Sequence, residues 1–149
     1  MTQDLIDNYE YRCNLVSDIN EHLPTLKKSE QASVVMFSTV AVQSGMPYHA
    51  SIASAKGAIE GLTRALASEF APKIRVNAVA LSLVDTPLAG RLLNSDTKKE
   101  NSAERHPLKR FGTVEDSSQA IQFLLGPTAG WMSGQIMQVD GGMSALRSI

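Results

Sequence analysis

The sequence lacks a second cysteine, a long hydrophobic run and an excess of either charge. Cys13 therefore cannot form a disulfide within the chain, which favours a reducing cytoplasm. No apolar run approaches the roughly 20 residues that a membrane helix needs, and the polar, acidic first residues do not resemble a signal peptide. The formal net charge of -1 gives no basic surface for nucleic acid or anionic lipid. We expect a cytoplasmic protein that binds neither nucleic acid nor membranes.

Signatures of metal sites and of hydrolases are also missing from the sequence. His22 and His106 have no second ligand at metal-binding spacing, so no metal site is predicted. The sequence has no Gly-x-Ser-x-Gly motif and no Ser/His/Asp signature, so nothing in it indicates hydrolase chemistry. The 149 residues, 43% hydrophobic and 19% charged, are instead typical of one ordinary globular domain.

Hydrophobic patterning predicts that helices and strands alternate along the chain. The predicted elements, in order, are a helix from Asp4 to Lys27 that Pro24 closes, a strand at residues 33–38, a loop at 41–47, a helix from Ala50 to Phe70, a strand at 74–80, a loop with short helices at 81–105, a helix from Thr113 to Leu125 and a strand at 135–139. Alternation of this kind implies crossover helices and a parallel sheet, so the fold class is α/β. Three strands make a small sheet with open edges, which suggests an incomplete domain over residues 1–149.

Several motifs occur in the order found in the second half of short-chain dehydrogenase/reductases, and from about Asn14 onward the chain resembles that family. The motifs are residues 36–41 at a strand end, 56–67 on the long helix, 74–79 in the next strand, 81–87 in the following loop, 106–112, and 134–142. The resemblance implies the carboxyl-side half of a Rossmann-type doubly wound fold, with about three parallel strands and flanking helices. It also implies a homo-oligomer that transfers hydride between NAD or NADP and a carbonyl or alcohol substrate.

The resemblance also implies roles for individual residues. The family uses a tyrosine to move the proton, a lysine four residues later, a serine and an asparagine on the preceding helix. Lys56 matches the lysine, which lowers the tyrosine's pKa and holds the nicotinamide ribose. Thr39 lies at the usual serine spacing with Ser38 as the neighbouring candidate, and Asn14 resembles the asparagine.

The loop after the second strand supplies the remaining cofactor contacts that the resemblance implies. Thr86 matches a threonine that contacts the nicotinamide amide, and Val84 lies beside it as a further cofactor-binding candidate. Leu81 and Ser82 replace the Pro-Gly that the family has at the start of this loop.

Two features depart from the family's pattern. Ile52 occupies the tyrosine position, four residues before Lys56, and has no proton to give. Tyr48 and His49 are candidate replacements, but Tyr48 lies about 12 Å from Lys56 if the helix extends that far. Residues 1–40 contain no glycine and hence nothing like the turn Thr-Gly-x-x-x-Gly-x-Gly, which seats the pyrophosphate. The sequence therefore predicts a catalytically impaired nicotinamide-dependent oxidoreductase, with a non-catalytic assembly subunit as the alternative.

Overall fold

A three-stranded parallel sheet organises the part of the chain that the computed structural model describes, which is residues 15 and 17–146. The strands β1 (Ala32–Thr39), β2 (Ile74–Leu81) and β3 (Ile136–Val139) lie in the order β1-β2-β3. β1 pairs with β2 along its whole length, and β3 pairs with the second half of β2. Of the described strands, β1 borders only β2, and residues 32–39 carry no charge. The expected α/β class with three parallel strands is confirmed.

Five helices surround the sheet in the described residues. They are α1, described over residues 17–26, α2 (Ala41–Ser44), α3 (Ala50–Phe70), α4 (Asp96–Glu104) and α5 (Val114–Leu125), with 3-10 turns at Pro87–Ala89 and Pro127–Ala129. None of these helices is both long enough and apolar enough to cross a lipid bilayer.

The two faces of the sheet are covered by different helices. One apolar cluster joins α1 and α3 to the sheet and is built on Ile19, Ala32, Met36, Ile59, Ala67, Phe70, Ile74, Val76 and Ala78. On the opposite face a smaller cluster places Leu124 of α5 and Ala129 against Val79. Residues 76–80 of β2 are all buried, because this strand has a neighbour on each side and a helix over each face.

The observed boundaries confirm most of the predicted elements and correct two. Helix α3 has the predicted bounds, and Thr113 begins α5 through a reciprocal capping box with Asp116. The helix expected to close at Pro24 instead continues to residue 26, and the Lys27 N–H still reaches the Leu23 carbonyl. Residues 41–47, expected to be a loop, contain the short helix α2.

Arg75 fastens the end of α5 to the middle strand. The Arg75 guanidinium donates to the carbonyl oxygens of Leu124 at 2.8 Å and Gly126 at 3.1 Å. The last carbonyls of a helix have no partner within the helix and carry partial negative charge, so a cation placed there stabilises it. No lysine or arginine lies in the last turn of α5, and the cation comes from β2 instead.

Asn77 makes the corresponding connection between β2 and the segment before β3. Its side chain is fully buried, donates to the Met132 carbonyl at 2.9 Å and accepts from the Gln135 N–H at 3.0 Å. A buried amide is stable only when its donors and acceptors are satisfied, so these bonds set how the chain enters β3.

We predict that Arg75→Ala lowers the free energy of unfolding by about 1–3 kcal/mol, since it removes charge-assisted bonds to the carbonyls at the end of α5. Urea unfolding followed by circular dichroism measures the loss. Arg64→Ala, on the exposed side of α3, is the matched control and should change stability by less than about 0.5 kcal/mol. Equal losses for the two variants would contradict the role given to Arg75.

Candidate active site

The candidate site residues gather at the carboxyl edge of the sheet. Ser38 and Thr39 end β1, Ser82 and Val84 follow β2, and Asp140 follows β3. In open parallel sheets this is the edge where ligands bind. The adjacent strands therefore bring together residues that are about 100 positions apart in the sequence.

Lys56 reaches this edge from the first half of α3. Its ammonium donates to the Phe37 carbonyl oxygen at 2.9 Å, near the end of β1. Position 56 shares one face of α3 with Glu60, Thr63 and Ala67, since these residues are three or four apart, and this face lies against the sheet. The helix therefore holds the Lys56 cation beside the end of β1.

Ser38 and Thr39 lie on opposite faces of β1, because successive side chains in a strand alternate. Ser38 is buried, and its hydroxyl donates to Oε1 of Glu60 at 2.7 Å. Thr39 is half-buried, and its hydroxyl oxygen accepts from the Ala41 N–H at 3.4 Å. The Ser38 proton is thus held by a carboxylate, whereas the Thr39 hydroxyl retains its own proton for a further partner.

Sequence analysis did not identify Glu60, although it is 4% exposed and contacts a candidate catalytic residue. A signal was present, because position 60 follows Lys56 by four residues and precedes Thr63 by three. A carboxylate at that position faces the sheet and must find a donor there.

Ile52, four residues before Lys56, places an aliphatic side chain on the same face of α3. Ile52 lies in the first turn of α3 and is half-buried. Tyr48 precedes the helix with φ of 65° and a fully exposed ring. His49 occupies the N-cap position, and its Nδ1 lies 2.7 Å from the Pro47 carbonyl, to which it donates. The two candidate replacements therefore stand outside the regular part of α3.

The loop after β2 is held by backbone bonds to the segment before α5. Val84 forms a parallel bridge with Gly112, whose N–H donates to the Leu83 carbonyl at 2.9 Å. A Cβ at Gly112 would come within 3.3 Å of the Val84 side chain, which explains why glycine suits this close approach. Thr86 lies half-buried just beyond, with its hydroxyl 3.4 Å from the Val84 carbonyl. Asn14, the remaining candidate, lies outside the described residues.

A cavity of about 300 Å³ opens beside this loop. Its apolar lining comes from Leu83, Val84, Leu108, Phe111 and Val139, and its polar lining from Ser82, His106, Arg110, Asp116, Ser117, Gln138 and Asp140. No group of three metal-binding side chains lies close together in residues 15 and 17–146.

One wall of the cavity contains a serine–histidine pair. The Ser82 hydroxyl lies 2.8 Å from Nε2 of His106, and Nδ1 of that ring lies 2.7 Å from the Ser102 carbonyl. His106 is 3% exposed. Sequence analysis missed this pair, because 24 residues separate its members and no motif spans them.

The acidic groups of the cavity are held in the ionised form. The Arg110 guanidinium donates to both carboxylate oxygens of Asp116, at 2.6 and 2.8 Å. These bonds, with a further bond from the Thr113 N–H, hold the pKa of Asp116 well below its usual range. Burial favours the neutral form of Asp140 and would raise its pKa. The pKa is nevertheless lowered, because the carboxylate accepts bonds from the Ser144 hydroxyl, the Ser144 N–H and the Gly142 N–H and is attracted by the charge of His106.

Residues 14–144 match the model of a family described as enoyl-(acyl carrier protein) reductase. The chain is 40% identical over 129 residues to 2-(S)-hydroxypropyl-CoM dehydrogenase 3 of Xanthobacter autotrophicus, an alignment that covers 83% of this chain and 51% of that protein. The chain therefore spans about half the length of this curated relative.

Two solved structures have the same fold. Cj0485 dehydrogenase is 38% identical with a TM-score of 0.88, covering 99% of this chain and 59% of that one. A tyrosine-to-phenylalanine variant of ElxO with NADPH bound is 29% identical with a TM-score of 0.78, covering 86% of this chain and 52% of that one. Because the family model spans residues 14–144 and the structural matches lie over the same sheet and helices, the chain belongs to the short-chain dehydrogenase/reductase family.

Proposed function

We propose that this chain carries the substrate-side half of an NAD(P)-dependent carbonyl or alcohol oxidoreductase, and that its proton-transfer step is impaired. The observation that carries the proposal is the placement of Lys56. Its ammonium lies at the carboxyl end of β1, while one helical turn earlier the chain presents Ile52 instead of a proton donor. A lysine at this position suits the binding of a ribose hydroxyl, and an aliphatic neighbour cannot exchange a proton with a substrate oxygen.

The described residues fit the nicotinamide end of such a cofactor. When bound, a nicotinamide supplies or accepts the hydride. Lys56 would hold the ribose, and the loop fixed by Gly112 would place Val84 and Thr86 beside the ring. The 3.4 Å contact of the Thr86 hydroxyl with the Val84 carbonyl is long, so that hydroxyl can turn to an amide group. The NADPH-bound ElxO structure supports nicotinamide use within the family.

The pyrophosphate end has no comparable support in this sequence. A glycine turn lets backbone N–H groups approach a phosphate closely, and residues 1–40 contain no glycine. We infer weak dinucleotide binding by this chain. A cytoplasmic location, favoured by the single cysteine Cys13, belongs to the same proposal.

The alternative is a non-catalytic assembly subunit that forms a homo-oligomer. Ile52 favours it, since loss of the proton donor alone costs about 10²–10⁴-fold in rate. The uncharged border of β1 also favours it, because an open strand can pair with another chain. The two functions differ in whether the assembled protein responds to cofactor.

We predict no ketone-dependent NADPH oxidation by the natural chain and a gain of activity in Ile52→Tyr. A phenol at position 52 would share a helix face with Lys56, whose cation favours the phenolate. At the highest NADPH concentration that the assay allows, absorbance at the nicotinamide band should fall at least about 10²-fold faster for Ile52→Tyr. Ile52→Phe, which adds the ring without the hydroxyl, is the matched control and should not oxidise NADPH. Steady NADPH consumption by the natural chain, abolished in Lys56→Ala, would overturn the proposed impairment.

We predict that NADPH binding, measured by fluorescence titration, weakens about tenfold or more in Lys56→Ala, the loss expected for one charge-assisted hydrogen bond. Lys73→Ala, an exposed lysine after α3, should bind as the natural chain does. Size-exclusion chromatography with light scattering on the same samples separates the two functions. A monomer that binds NADPH supports the oxidoreductase, whereas a stable oligomer that does not bind NADPH supports the assembly subunit.

A further inference from the structure

The hydrogen bonds around His106 define which of its ring nitrogens can accept a proton. Nδ1 lies 2.7 Å from the Ser102 carbonyl, and a carbonyl only accepts, so Nδ1 carries the hydrogen. In the neutral ring Nε2 then presents a lone pair, and the partner 2.8 Å away is the Ser82 hydroxyl. Ser82 therefore donates its proton to Nε2. Its other neighbour, the Met143 sulfur at 3.1 Å, is a weak acceptor and competes poorly for that proton.

This arrangement has the three parts of an activated nucleophile: a hydroxyl, a base within hydrogen-bond reach, and a third group that orients the base. Here the third group is the backbone carbonyl of Ser102, in a buried residue. We propose that Ser82, with His106 as general base, is a nucleophilic serine that accepts acyl groups from carboxylic esters.

The cavity defines the class of ester. Ser82 is half-buried and lines a space of about 300 Å³, the lower end of the range for ligand pockets, so the acyl donor must be small. Leu83, Val84 and Phe111 give the space an apolar side. Among the described residues that line the cavity, Arg110 is the single lysine or arginine, and its charge is neutralised by Asp116. An uncharged ester with a short apolar acyl group fits these walls.

The reaction uses two balanced steps and no cofactor. The Ser82 oxygen forms a bond to the acyl carbon as its proton moves to Nε2 of His106. The bond between that carbon and the alcohol oxygen then breaks, and the alcohol leaves with the proton. In the second step water gives a proton to the same nitrogen, attacks the acyl-serine and releases the acid, after which the proton returns to Ser82.

The test is acetylation by p-nitrophenyl acetate, followed by intact mass and by peptide mapping. We expect one acetyl group on Ser82 of the natural chain, formed with release of p-nitrophenolate. Ser82→Ala should lose that adduct, and His106→Gln, which keeps an acceptor but no base, should acetylate Ser82 about 10²–10⁴-fold more slowly. Ser117→Ala is the matched control, because Ser117 lines the same cavity but its hydroxyl bonds to the Thr113 carbonyl. Ser117→Ala should acquire the acetyl group on Ser82 at the same rate as the natural chain.

Two results would overturn the proposal. One is a natural chain, quenched with acid during the reaction, that releases p-nitrophenolate no faster than Ser82→Ala and carries acetyl groups on lysines but none on Ser82. The other is folded His106→Gln that acetylates Ser82 at the natural rate. If His106→Gln does not fold, as circular dichroism would show, the mapping of Ser82 against Ser117 in the natural chain decides the question. The assay contains no nicotinamide, so its failure leaves the proposed oxidoreductase function untouched, and the converse also holds.

Discussion

The middle strand β2 is the element on which the remaining structure depends. It pairs with β1 on one side and β3 on the other, and residues 76–80 are buried under helices on both faces. Two of its polar side chains bind neighbouring segments: Arg75 binds the end of α5, and the buried Asn77 binds the chain before β3. Ser82 and Val84 emerge at the carboxyl edge directly after this strand, which α5 and the segment before β3 hold in place.

At the carboxyl edge, the Lys56 ammonium lies one helical turn from the aliphatic side chain of Ile52. Lys56 is held in place by its own helix and by the Phe37 carbonyl, neither of which depends on a tyrosine at position 52. Ile52 can therefore occupy that position without disturbing the fold. The packing of α3 against the sheet therefore does not depend on which residue occupies position 52, and the proposed function concerns proton transfer alone.

The sequence was sufficient to predict the features that depend on local chemistry. The periodicity of α3, bounded by Pro72, and the cap at Thr113 act over a few residues, and both were predicted correctly. The short helix α2 was missed because four residues give no measurable periodicity. Helix α1 ends at residue 26, close to the predicted Lys27, but Pro24 does not close it as expected, because bonds whose donors follow the proline, such as Lys27 to Leu23, are still made.

Contacts between distant segments were less accessible from the sequence. The Ser38–Glu60 bond could be anticipated in part, since position 60 lies on the stripe of α3 that faces the sheet. The Ser82–His106 bond could not, because it depends on how the loop after β2 and the end of α4 fold back on each other. In the sequence, His106 stands out only as the first residue of the 106–112 motif and as a histidine without a second metal ligand. Its partner in the structure is the Ser82 hydroxyl, at a position where the family resemblance implies a glycine.

The uncharged border of β1 has a practical consequence for anyone handling this protein. Because successive backbone units point alternately to the two edges of a strand, about half of the eight units of β1 bond to β2 and the others face away from it. The Phe37 carbonyl is already bonded to Lys56, and the remaining outward units offer amide groups that a neighbouring molecule can pair with. The side chains of β1 itself carry no charge, so raising or lowering the salt concentration will do little to prevent such pairing. Dilution, and a single lysine introduced on the outward side of the strand, are the remedies that act on the cause.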